Sequence, residues 1–298
     1  MRIAVPDLIS NSYFPAIAAV ELGCFRDEGI DASIELLFPV DAAYRALAAG
    51  EVDVVAGSAH SALAAFPEWQ GVKLLAAQAQ GMYWFLVLRA DLGAARNDVA
   101  AVRGKRVGAA PWVDLGLRRL LAEAGIDLGE VEIAPVPGAA GAGTNFGLTA
   151  ARALAEGTVD AFWANGMAAE IAVRSGTGSV VLDVRRGDGP EGCFDYTFAS
   201  LAATATFVDD DRSRAAAIVR ALRRAQALLQ EDPERAAAVG ERVFPPEQAA
   251  LIAELVRRDV PYYDAEIAPR AIGGMNRFAR AEGLLEGDPP YEQIVVAG

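Results

Sequence analysis

An internal repeat restricts the fold of this chain more than any other feature. The segment YRALAAGEVDVV (residues 44–55) returns as ARALAEGTVDAF (residues 151–162), an offset of 107 (151 − 44). Upstream, GIDASIELLFPV (29–40) echoes GIDLGEVEIAPV (125–136). Each copy opens on a short β-rich run, RIAV (2–5) or KRVGAA (105–110), and then turns helical. Each half therefore reads strand, helix, strand, helix, strand, helix. Strands alternating with helices form parallel βαβ units, so the repeat predicts an α/β fold of two lobes. Each lobe should hold a mostly parallel sheet flanked by helices, with a cleft between the lobes.

Local patterns agree. IELLF and VDVVA are short, apolar and rich in branched residues, as strands buried on both faces are. YRALAAG carries an apolar stripe and ends on Gly50, a suitable helix C-cap. VGAAPWVDLGLRRLLAEAG runs from a strand through Pro111 into a helix that stops at Gly125, with Asp114 expected to cap it. From about residue 200 onward the chain reads as a helical C-terminal region. Three aspartates (209–211) precede its longest amphipathic run, where acids favour the positive end of a helix dipole.

Composition then excludes whole classes of function. The net charge of −13 repels nucleic acid and anionic lipid, so neither is an expected partner. No apolar run approaches the roughly 18–20 residues of a membrane span, so no membrane insertion is expected. One histidine and two cysteines, Cys24 and Cys193, make a metal site improbable, and no disulfide framework is defined. Lysine occurs only at Lys73 and Lys105, which limits Schiff-base chemistry. VPGAAGAGTNFG (136–147) is glycine-rich but lacks the G-K-[ST] ending of a phosphate loop, and reads as a flexible loop over the cleft or a linker. No cofactor is expected. MRIAVPD reads as a strand rather than an export signal. The expected location is therefore either the cytoplasm or, if a signal was removed, the periplasm or cell surface, and the sequence leaves both open.

Taken in order, several segments resemble the type II periplasmic-binding-protein-like family. They are SYFPAIAAVELGCFRDEGID, ALAAGEVDVVAGS, VRGKRVG, ALAEGTVDAFWAN, QEDPERAAA and RAEGLLEGDPPYEQIV. The branch resembled is the one that binds sulfonates, nitrate, taurine and thiamine-pyrimidine precursors. The resemblance implies lobe one at 1–88 plus 199–298 and lobe two at 89–198, joined by crossing segments 82–91 and 193–201. It also implies a monomeric solute-binding protein serving an ABC-type permease.

Candidate site residues lie at the ends of strands. In SNSY (10–13), Asn11, Ser12 and Tyr13 precede a helix whose N-terminal amides suit an anionic group or a polar ring edge; Ser10 or Ser12 could equally cap that helix. In AGSAHSALAAF, Ser58, Ala59 and His60 fall at a strand-to-helix turn, and the repeat pairs Ser58 with Asn165. Of the aromatic residues near these turns, Trp112 and Trp163 are the stronger ligand candidates, followed by Tyr83 and Tyr196 on the crossing segments. Asp195 lies beside Tyr196 and could accept hydrogen bonds from an amine or amino-pyrimidine. Basic residues are sparse in these loops, which favours a neutral or cationic heteroaromatic or amine over a bare anion.

The leading expectation is a protein that closes over a small polar or heteroaromatic molecule. The alternative is a cytoplasmic enzyme on the same fold, using His60, Ser12 and Asp195. Pyrimidine synthases of this fold resemble SAHSALAAF in carrying a histidine here, but they need a lysine near the position of Ala56 and a cysteine-rich motif. Sulfinate desulfinases use a cysteine in the first loop, where Ser12 stands. No motif for decarboxylase or lyase chemistry is present.

Overall fold

The computed structural model describes residues 1–139 and 145–296. Part of the glycine-rich stretch at 136–147 therefore lies outside the described residues. The chain forms two compact units: Met1–Gly81 with Asp195–Gly298, and Met82–Phe194. Residues 82–88, expected in lobe one, fall in the second unit, where Phe85–Leu88 pair within its sheet.

The first unit's sheet contains β1 (Arg2–Val5), β2 (Ser33–Leu36), β3 (Val54–Ser58), β4 (Val72–Ala79) and β10 (Ala199–Thr204), in the order β2-β1-β3-β10-β4. The second unit's sheet contains β5 (Phe85–Arg89), β6 (Arg106–Ala109), β7 (Glu132–Ala134), β8 (Ala161–Ala164) and β9 (Gly178–Asp183), in the order β7-β6-β8-β5-β9. In each sheet a single strand, β10 or β5, runs antiparallel to both its neighbours. The parallel registers repeat as well. Ile3 pairs with Ile34 and Val54, and Val107 pairs with Ile133 and Ala161.

One device behind this duplication is visible at atomic level. Asp53 precedes β3, and its carboxylate accepts the backbone N–H of Arg2 at 2.7 Å; the Arg2 guanidinium reaches the Gly50 carbonyl at 3.1 Å. Asp160 precedes β8 and accepts the N–H of Arg106 at 3.0 Å, while Arg106 reaches the Gly157 carbonyl at 2.8 Å. The GxVD motif of the repeat is thus a staple between the third strand and the first.

β3 is buried throughout, as its sequence predicts. β2 is not: it is an edge strand with no fully buried residue, which corrects the reading of IELLF as buried on both faces. Its apolar content belongs to one face only. The third helical stretch of the first copy is a 3₁₀ segment, Ala59–Ala64, whereas the second copy has a regular α-helix, Gly166–Arg174. The C-terminal region is helical, with Asp211 capping helix Arg212–Glu231 through the Arg214 N–H. Asp114 does not cap its helix. It sits in the first turn and pairs with Arg118 one turn on, at 2.7 Å, while Trp112 occupies the cap position.

Candidate functional site

In a sheet of this kind, ligands gather beyond the carboxyl ends of the strands. In the first unit that edge is built by the loop after β1 and the turn after β3. Ser10, Asn11 and Ser12 are each only 1% exposed. Tyr13 stands at the N-cap of helix Phe14–Glu21 without a side-chain cap bond, and Ser10 Oγ makes no capping bond among the described residues. The loop is held by the C-terminal helices. The Asn11 amide donates to the carboxylate of buried Asp259, and the Tyr263 hydroxyl donates to the Asn11 carbonyl. A carboxylate there requires the NH₂ of Asn11, which turns its Oδ1 the other way. That Oδ1 and the Ser10 Oγ are buried with no hydrogen-bond partner among the described residues.

His60 is fully buried at the start of the 3₁₀ turn. Its Nδ1 lies 2.9 Å from the Thr197 hydroxyl, and its Nε2 lies 3.5 Å from Ser61 Oγ. Ser61 Oγ continues to Ser58 Oγ at 2.6 Å. The imidazole therefore sits in a chain of hydroxyls, each able to accept or donate. Phe278 meets the ring edge-on at 5.4 Å, and Tyr196 stacks on Phe278 at 5.0 Å. Behind the turn, the fully buried Tyr44 donates to the Ser58 carbonyl at 3.0 Å, and burial holds its phenol protonated well above the usual range. Ala59 is buried and donates its backbone N–H to the Phe198 carbonyl.

Asp195 lies in the 3₁₀ segment Cys193–Tyr196 and is partly exposed. Helix Pro269–Ala281 approaches it at Gly274, where a Cβ would sit 2.4 Å from Asp195 Cβ and 2.9 Å from its carbonyl oxygen. That close approach brings Phe278, one turn further along, to His60.

In the second unit, the corresponding edge is aromatic. Tyr83 and Trp84 pack at 4.7 Å, Trp84 and Trp163 at 6.2 Å, and Trp163 donates its indole N–H to the Val113 carbonyl at 3.2 Å. Asn165 accepts the Ala168 N–H at 3.0 Å and so caps helix Gly166–Arg174. Gly147 faces its side chain closely enough that a Cβ would lie 3.0 Å from Nδ2. Trp112 is half-buried with φ +68°, a conformation bulky side chains rarely adopt and one that clusters at binding sites.

Within the units, the structure brings His60 and Ser58 together with Tyr196, and Tyr83 together with Trp163. Sequence reasoning missed Thr197, Phe278, Asp259 and Tyr263, which reach the site from distant parts of the chain. It also missed Arg185, nearly buried in the turn after β9 and placed 5.4 Å over the Tyr83 ring. The adjacent arginines of DVRRGD, directly after an apolar strand, were the available signal. Arg185 adds one basic group to the strand ends of the second unit.

Comparison with solved structures gives the same architecture. The alkanesulfonate-binding protein SsuA from Xanthomonas axonopodis pv. citri, bound to MOPS, is 16% identical with a TM-score of 0.73, over 97% of this chain and 94% of that one. The periplasmic aliphatic sulphonate binding protein SsuA of Escherichia coli is 13% identical with a TM-score of 0.71, over 99% and 96%. The desulfurization enzyme DszB is 15% identical with a TM-score of 0.65, over 98% and 96%. At such identities the likeness establishes the fold, the two-lobed type II periplasmic-binding-protein fold. No curated protein matches the chain in sequence. The family model described as NMT1/THI5 like matches residues 10–236, and the chain belongs to that family.

Proposed function

We propose that the chain is a solute-binding protein that captures a small polar or heteroaromatic molecule at these strand-end turns for an ABC-type permease. The observation that carries it is a pair of buried oxygens, Ser10 Oγ and Asn11 Oδ1, that have no hydrogen-bond partner among the described residues. Buried polar atoms are nearly always hydrogen-bonded, so a pair at a strand-end loop is suited to a ligand's N–H or O–H donors. Family membership and fold support the same role, and the sulfonate-binding neighbours are solute-binding proteins by name. The aromatic edge of Tyr83, Trp84 and Trp163 would supply apolar surface for a ring.

Thermal-shift screening with aminopyrimidines, amines and alkanesulfonates tests this. An N–H-bearing compound should raise the melting temperature, and Asn11→Ala and His60→Ala should each weaken its binding by about tenfold or more. If both variants bind as the parent does, the site lies elsewhere. An enzymatic reading draws on the likeness to the desulfurization enzyme. It would need His60 as the base for a nucleophile in the first loop, where Ser12 stands. Release of sulfite from an aryl sulfinate, lost in His60→Ala, would replace binding with catalysis.

A further inference from the structure

A cavity of about 550 Å³ lies in the first unit between helix Arg212–Glu231 and the segments 265–267 and 291–296. It sits far from the strand-end turns. Lys73, which lines it, pairs with Ala203 near the start of β4, whereas Ala79 at the end of β4 pairs with Ala199, level with Ser58. Six residues of strand separate the two levels, roughly 20 Å at about 3.3 Å per residue. The cavity is thus at the opposite end of the sheet.

Its floor is apolar: Leu75, Val208, Val219, Ile267 and Val295. Its charges are arranged unevenly. Arg212 and Arg220 on the helix wall already have carboxylate partners, Asp209 at 3.8 Å and Glu28 at 2.6 Å. Lys73 and Arg223 have no carboxylate within ion-pair distance among the described residues; Lys73 donates instead to the Glu292 carbonyl at 2.7 Å. Glu266 and Glu292 stand on the other wall beside Tyr291, whose phenol is pushed up first by burial and then by those two carboxylates. Acids outnumber basic residues 40 to 27 in this chain. Even so, this apolar cavity holds two cations, Lys73 and Arg223, that no carboxylate among the described residues neutralises. The volume falls in the range of small-molecule sites, which combine an apolar lining with a few placed polar groups.

We infer that this cavity binds a medium-chain organic carboxylate. Its hydrocarbon body would lie against Leu75, Val219 and Val295, and its head would sit between Lys73 and Arg223. A charge-assisted contact to two cations, joined to burial of the chain, separates such a ligand from a neutral alcohol and from a short acid.

Isothermal titration of the full chain with octanoate tests the inference, with octanol and acetate as comparison ligands. Octanoate should bind at least tenfold more tightly than either. Arg223→Gln should weaken octanoate about tenfold, and Ala216→Trp, which fills the cavity from an exposed helix position, should abolish binding. Both variants should melt at the parent temperature without octanoate. His60→Ala should bind octanoate as the parent does, which separates this site from the strand-end turns. The inference is overturned by no binding at millimolar octanoate, by equal binding of octanol, by an unaffected Arg223→Gln, or by loss of binding in His60→Ala.

Discussion

In the first unit the chain leaves β3 at Ser58 into a 3₁₀ turn; in the second it leaves β8 into an α-helix capped by Asn165. The strands entering the two turns occupy the same register in duplicated sheets and share the aspartate staple that precedes them. What differs is the support. Tyr44 holds the Ser58 carbonyl, while its counterpart in the repeat is Ala151. Conversely, Gly147 makes room beside Asn165, where the first copy has Val40, whose side chain packs at Gly57 instead. The first turn is also covered by helix Pro269–Ala281, which has no equivalent in the repeat. Duplication preserved the frame, and substitutions behind the turns made one a polar hydroxyl chain around a histidine and the other a helix cap beside aromatic rings.

The comparison can be broken most strongly at Gly274. Gly274→Ala places a methyl group against Asp195 backbone that no rotamer change relieves, and should cost about 2–3 kcal/mol. Denaturant unfolding should show the loss, and heteronuclear spectra should place the perturbation around His60 rather than Asn165. A silent Gly274→Ala would mean that the helix does not govern the first turn.

Next in size is Tyr44→Phe. It leaves the buried Ser58 carbonyl without its phenol donor and should cost about 1–2 kcal/mol. Ala151 offers no corresponding bond to remove, so the effect is particular to the first unit. Unchanged stability in this variant would show that Tyr44 serves only as bulk.

The caps give a smaller contrast. Asn165→Ala removes a side-chain cap and should cost about 1 kcal/mol, whereas Ser58→Ala removes no cap bond and should cost less in stability. Equal losses, measured as denaturation midpoints, would erase the distinction between the turns.

The smallest effect is a pH dependence of the second unit's staple. The Arg106 guanidinium and backbone N–H, with Arg89 nearby, hold the Asp160 carboxyl down to about 2. Since the unfolded value is near 3.9, this stabilisation is present above about pH 4 and is lost as pH falls toward 2. Screening by solvent at this partly exposed pair leaves about 1 kcal/mol. Asp160→Asn should flatten that part of the acid-unfolding curve, and a curve identical to the parent's would remove the staple from the account.

Much of the frame was legible because it is written in local pattern. The repeat, the strand runs and the GxVD motif depend on neighbours within a dozen or so residues. The placement of Ser58, His60 and Asn165 at strand ends followed from the offset alone. IELLF misled because an apolar run does not say whether its strand lies inside a sheet or at its edge. Asp114 misled because a helix's first residue is settled by backbone geometry at Trp112, not by the nearest acid.

The sequence by itself determined the α/β class, the duplication and the address of the histidine, since periodicity and repetition are properties of the chain. Tertiary structure alone decided what surrounds that histidine. Thr197, Phe278, Asp259 and Tyr263 lie more than a hundred residues from the loops they touch. Contacts over such distances leave no local signal, because they arise only when separate elements bury their apolar faces together and must satisfy the polar groups enclosed with them.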